Sequence, residues 1–151
     1  MLKRILIPIL ILILTGCGYT PLYNSSEKVN YNVNFVEEKG DNKINDRIIS
    51  EITKLTRGDT KRIYNISFTS DYSKSIISKD AKGSATNYEL IVDVIFHIEY
   101  GTTKRTINMN EKQNIKKIED IFDQRNYENT LKNNFATSIA NKLNIELLSI
   151  K

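Results

Sequence analysis

Few residues in this chain are suited to chemistry. Among 151 residues there is one cysteine and one histidine. Cys17 stands between Gly16 and Gly18, just past the apolar stretch "ILILIL" of residues 9–14, with Thr15 and Gly16 intervening. A lone thiol cannot close a disulfide within its own chain. His97 falls in an alternating apolar and polar stretch. A metal site needs several His, Cys or carboxylate ligands, so His97 reads as a surface or half-covered strand residue. The serines are scattered, and no Ser or Cys comes with an evident positioned base, which nucleophilic catalysis requires. Glu37 with Glu38 and Glu119 with Asp120 are neighbouring carboxylates. Neighbours on a strand or helix point in different directions, so neither pair makes a matched acid and base. No catalytic residue, metal or cofactor is expected, and the chain does not read as an enzyme.

The setting of Cys17 offers a different chemistry. Lys3 and Arg4 precede an apolar run over residues 5–14, interrupted only by Pro8. A helix needs about 20 apolar residues to span a bilayer; this run has instead the length of a signal-peptide core, roughly 7 to 15 residues. No second run of spanning length follows. Leu14, Thr15, Gly16 and Cys17 then resemble a bacterial lipobox, where small residues precede a cysteine that is acylated and becomes the new N-terminus. The competing reading is a buried structural thiol; it does not explain why charge, apolar run and small residues occur in that order. On the lipobox reading residues 1–16 are a signal peptide. The resemblance implies that Cys17 is the lipidation site and carries an S-diacylglycerol and an N-acyl chain. Each buried CH₂ contributes about 0.8 kcal/mol, so several chains anchor firmly where one does so marginally. Gly18 in place of Asp implies, by the sorting rule of such lipoproteins, delivery to the outer membrane, facing the periplasm.

Removing residues 1–16 from the 151 leaves 135, one domain by length. It also removes two cations, so the formal charge of +4 falls to +2. With scattered basic residues and an envelope location, nucleic acid is not an expected partner. Residues 17–30 read as a lipidated tether, with Pro21, Ser25 and Ser26 supplying turn chemistry. Its Tyr19, Leu22 and Tyr23 either pack on the domain edge or lie at the membrane interface.

Residues 31–151 carry the periodicity of a folded unit. Tyr31, Val33 and Phe35 alternate with asparagines, as in a half-buried strand. "EKGDN" at 38–42 reads as a turn. Ile44, Ile48, Ile52 and Leu55 then form a helical stripe, with Asp41 or Asn42 as its cap and Gly58 just past its end. Tyr64, Ile66 and Phe68 begin a second strand that extends through 72–77, and "SKDAKG" at 78–83 joins it to the next. Over 84–100, seven apolar residues from Tyr88 to Tyr100 occupy alternate positions. "GTTKR" at 101–105 reads as the reversal into a fourth strand, 106–113, with Ile107 and Met109 inward. Tyr127, Leu131, Phe135, Ile139 and Leu143 recur every four residues, capped by Asp123 or Asn126, with a short helical piece around Ile118, Ile121 and Phe122 before them. The expected fold is α+β, a two-layer sandwich of order β-α-β-β-β-α. Two helices pack on one face of a four-stranded mixed sheet, whose first two strands are parallel.

"CGYTPLY" at 17–23, followed by this order of elements, resembles the LPS-assembly lipoprotein LptE family. The resemblance implies an LptE-like domain that sits inside the LptD-type outer-membrane β-barrel, helps it assemble, and contacts lipopolysaccharide on its way to the outer leaflet. No family lipid-contacting residue aligns by motif. Cations in expected loops are the candidates for lipopolysaccharide phosphates, because charge-assisted phosphate contacts are strong: Lys61, Arg62, Lys79, Lys82, Lys104 and Arg105. Lys104 and Arg105, at an expected hairpin tip, rank first; ordinary solvated charge is the competing reading for each. Two alternative functions are an auxiliary lipoprotein of an MCE-type periplasmic lipid-transport system and an envelope hydrolase.

Overall fold

The computed structural model describes residues 29–56 and 60–150. The signal segment, Cys17, most of the tether and Gly58 lie outside the described residues. Strict alternation builds the sheet. In β3 (Ala85–Tyr100), Leu90, Val92, Val94, Phe96 and Ile98 are buried, while Asp93, Ile95, His97 and Glu99 between them are exposed. That is the pattern of an antiparallel strand with one covered face. β2 (Ile63–Lys79) and β4 (Thr103–Lys116) flank β3, both antiparallel to it. β1 (Asn32–Gly40) pairs parallel with β2, which gives the order β1-β2-β3-β4.

A parallel pair needs a crossover, and α1 (Asn42–Leu55) provides it; α2 (Ile121–Ser149) follows β4. Ile44, Ile48 and Ile52 of α1 share one core with Leu131, Phe135, Ile139, Leu143 and Leu147 of α2 and with the inward residues of the sheet. Both helices therefore cover the same face, as the apolar stripes demand. The Tyr64 hydroxyl donates to the Leu147 carbonyl (2.9 Å) and the Tyr31 hydroxyl to Asn144 Oδ1 (2.6 Å), which fixes the C-terminal turns of α2 on the sheet. Burial, with a smaller contribution from Tyr64, pushes the Tyr31 hydroxyl well above its ordinary pKa.

Element ends differ from the sequence reading, each for a local reason. Asp41 is the cap of α1: its Oδ1 accepts from the backbone N–H groups of Lys43 (3.0 Å) and Ile44 (3.2 Å). The helix closes on Thr56, whose N–H still bonds the Ile52 carbonyl while its backbone is already extended, so no left-handed residue is needed there. Glu38, Lys39 and Gly40 are strand rather than turn, because they pair with Phe68, Thr69 and Ser70. A bulge at Val36 takes up the shift in register.

The β3–β4 reversal uses only Gly101 and Thr102, with Gly101 at φ +57° as a two-residue turn led by glycine requires. Lys104 and Arg105 therefore belong to β4 and not to a loop. β2 runs on to Lys79, and Asp80 shapes the following turn by accepting from the N–H groups of Lys82 (2.8 Å) and Ser84 (2.9 Å). α2 is one helix from Ile121 with no separate piece before it. Its cap is Asp120, which accepts from Phe122 N–H (2.7 Å) and Asp123 N–H (2.9 Å), displacing Asp123 and Asn126 from that role. Tyr127 is 39 % exposed, and the buried position at this level is Gln124, bonded to Ile118 N–H and Glu128.

Candidate functional site at the ends of the sheet

The six cations singled out in the sequence divide between opposite ends of the long β2–β3 pair. Lys61, Arg62, Lys104 and Arg105 meet at one end, where Asn65 pairs with Glu99 and Glu99 with Lys104. Lys79 and Lys82 sit at the other, where Lys79 pairs with Ala85. Fourteen residue steps along β3 separate Ala85 from Glu99, roughly 45 Å at strand rise.

At the first end two of the four cations, Arg62 and Lys104, are engaged. The Arg62 guanidinium carbon lies 5.3 Å from the Tyr64 ring centre and 5.6 Å from that of Tyr100. Its Nε and one Nη are buried and meet no hydrogen-bond partner among the described residues. It is a stacked cation, held by aromatic faces, and not a mobile loop charge. Lys104 Nζ pairs with Glu99 Oε1 at 2.6 Å, although both side chains are solvated and the pair is energetically slight. Arg105 lies opposite Ile98, on the helix-bearing face, and is exposed; Lys61 is exposed beside Arg62.

At the second end Lys117 is paired with Glu119, and the other cations are not engaged among the described residues. Lys79 and Lys82 are exposed and enter no ion pair among the described residues. Lys116 arrives beside them opposite Asn87, and Lys117 N–H bonds the Thr86 carbonyl at 2.8 Å. Large apolar side chains stand exposed here too: Ile76 and Ile77 at the end of β2, and Ile121 (77 %) and Phe122 (67 %) at the start of α2. Exposed apolar surface rimmed by charge marks interaction sites. Lys79, Lys82 and Lys116, with Lys117 paired to Glu119 at 3.6 Å, share this end with four exposed large apolar residues. Such a set can take an amphiphile, with its anionic group on the ammoniums and its chains on the apolar rim.

Reading loops for charge found Lys79 and Lys82 but missed this apolar rim. The signal was present: the Ile76–Ile77 pair breaks strand alternation, and Ile121–Phe122 puts adjacent apolar residues on different sides of a helix. The open face of the sheet carries His97, whose Nδ1 is 3.0 Å from Thr106 Oγ1. Among the described residues no group of three His, Cys, Asp or Glu side chains is arranged to hold a metal ion.

The fold has counterparts among solved structures. Rare lipoprotein B from Shewanella oneidensis is similar with a TM-score of 0.58 at 12 % identity, over 77 % of this chain and 95 % of that one. A minor lipoprotein from Acinetobacter baumannii is similar with a TM-score of 0.52 at 12 % identity, over 79 % and 91 %. Lipoprotein B from Nitrosomonas europaea gives 0.50 at 13 % identity, over 74 % and 81 %. The chain thus has the fold of these bacterial lipoproteins. No protein-family model matches it, and no curated protein matches it by sequence.

Proposed function

We propose that this chain is an outer-membrane lipoprotein of the LptE type. In this role it faces the periplasm, occupies and helps assemble an LptD-type β-barrel, and assists delivery of lipopolysaccharide to the outer leaflet. The observation that carries the reading is the agreement of two independent features. The fold matches bacterial lipoproteins over most of the chain, and the sequence places a lipobox-like cysteine, Cys17, ahead of that fold. Acyl groups on Cys17 are the anchor. The work done is binding and positioning, with no catalytic residue, cofactor or nucleic acid involved.

Affinity purification of the native chain from detergent-solubilised membranes tests this, followed by mass spectrometry of the partner and of the N-terminus. The expected result is a large outer-membrane barrel together with an acylated Cys17. Recovery of an inner-membrane MCE-type complex, or of an unprocessed and unacylated N-terminus, overturns it.

The two sheet ends make unequal contributions under this reading. Lys79 and Lys82 stand uncommitted beside apolar side chains, whereas Lys104 is paired and Arg62 is stacked. Replacing Lys79 and Lys82 together with Ser is expected to weaken lipopolysaccharide binding about fivefold, the equivalent of roughly 1 kcal/mol. The Lys104→Ser, Arg105→Ser double variant changes it less. Titration of both variants with lipopolysaccharide checks the order, and the reverse order moves the site to the other end.

A further inference from the structure

The outer edge of the sheet offers a binding surface of another kind. β4 runs unbroken for fourteen residues and, among the described residues, has no strand beyond it. Its two-residue turn pairs Tyr100 with Thr103, and at the far end Lys117 N–H bonds the Thr86 carbonyl, in the same phase of the ladder. Lys104, Thr106, Asn108, Asn110 and Lys112 therefore direct their N–H and C=O groups away from β3, toward the open edge. The opposite edge, β1, is broken by the bulge at Val36.

Beside the open edge runs a groove of about 320 Å³ between β4 and α2, lined by Ile107, Met109, Lys142, Ile145 and Glu146 among others. Ile145 is 65 % exposed. Further along, Glu111 closes the groove: it accepts from Ser138 Oγ (2.5 Å) and pairs with Lys142 Nζ (2.7 Å). An edge strand flanked by an apolar groove and a helix is the arrangement that accepts an added strand. Main-chain hydrogen bonds supply affinity there, and alternate side chains enter the groove.

The charges select the occupant. Glu111 is turned toward α2 and engaged there, whereas Arg105, Lys112 and Lys116 enter no ion pair among the described residues. Lys104 and Lys112 lie on the open face of the sheet. In the antiparallel register centred on Asn108, a second copy of β4 would set Lys104 against Lys112, a placement that edges use to prevent self-pairing. We infer that β4 receives an extended segment of a partner protein that alternates apolar residues toward the groove with acidic residues toward the open face. This goes beyond the barrel and lipopolysaccharide reading and stands without it, since no lipid or barrel enters its test.

The probe is a fluorescent, capped nonapeptide alternating Glu and Val, titrated into the full-length chain in detergent and read by anisotropy. It is expected to bind at least tenfold more tightly than the Lys–Val counterpart. Asn108→Pro removes an edge N–H that bonds nothing within the sheet, and is expected to keep the native circular dichroism while weakening binding at least tenfold. Should that variant misfold, Ile145→Glu decides, because it puts a carboxylate on an exposed groove position and is expected to have the same effect. Equal binding of the two peptides, undiminished binding to a folded Asn108→Pro or to Ile145→Glu, or a dimer that these substitutions dissolve, each overturns the inference.

Discussion

Replacing Gly40 with alanine is expected to remove at least about 4 kcal/mol of stability, a large share of the roughly 5–15 kcal/mol that holds a domain of this size folded. Gly40 sits at φ +101°, a backbone conformation costing a non-glycine residue of order 1–3 kcal/mol. Space adds the larger part. A Cβ at this position would lie 1.7 Å from the Ser70 carbonyl oxygen and 2.7 Å from its carbon, and both belong to backbone. β2 would have to withdraw from β1. The Gly40–Ser70 pairing would go, and so would the bond from Asp41 N–H to Ser70 Oγ (3.0 Å) that locks the start of α1. Gly83 supplies the control: it too has positive φ, +82°, but a Cβ there meets nothing within 4 Å. Gly83→Ala is expected to cost only the conformational part, about 1–2 kcal/mol. Urea unfolding followed by circular dichroism measures both. Equal losses in the two variants would refute the clash and leave φ alone as the cause.

Gly40 also shows what kind of information the sequence held. "EKGDN" was legible as a change of direction, because Gly, Asp and Asn favour turns. That the strand persists to Gly40 depends on pairing with residues 68–70, some thirty positions away, and local composition carries no record of it. The alternation of Tyr88 through Tyr100 and the four-residue spacing of Leu131 through Leu143 were readable for the opposite reason. Each reports one covered face, and burial is the strongest constraint on residue choice. Burial likewise made the α+β order and the parallel first pair accessible.

The candidate site was less legible than the fold. Lys104 and Arg105 looked like loop residues because "GTTKR" is polar throughout, yet a glycine-led turn needs only two residues, and the rest became strand. Arg62 looked solvated because its stacking partners, Tyr64 and Tyr100, lie on two different strands, and Tyr100 is 38 positions on. Charge is visible in a sequence. Whether a charge is already occupied is a property of the fold.

The second large effect tests such an occupied charge. Asp41 Oδ1 caps α1, and its Oδ2 takes a 2.6 Å ion pair from Lys132 of α2, with both side chains about four-fifths buried. Lys132 Nζ also lies 3.7 Å from the Tyr72 ring centre. One carboxylate thus holds β1, α1, β2 and α2 at a single point. Burial alone would raise its pKa. The Lys132 hydrogen bond and charge, together with the Ile44 and Lys43 amides, outweigh that and bring it below the usual carboxylate value.

Because the folded pKa is the lower one, this contribution is complete above the unfolded value of about 4 and fades as pH falls through the folded one. Asp41→Ala removes the cap, worth about 1 kcal/mol, and leaves a mostly buried ammonium without its counter-ion, about 1–3 kcal/mol more. The expected loss near pH 7 is therefore about 2–4 kcal/mol. Asparagine caps as well as aspartate, so Asp41→Asn should lose only the ionic part. The gap between Asp41→Asn and the native chain should then narrow steadily below pH 4, as the native carboxyl takes up its proton. Glu111, held below its usual range by Lys142 and Ser138 against its own burial, stays acid-sensitive in both proteins and cancels in the difference. A gap that stays constant from pH 6 to pH 3 would mean that Asp41 stabilises the fold through its cap and its shape, with no contribution from its charge.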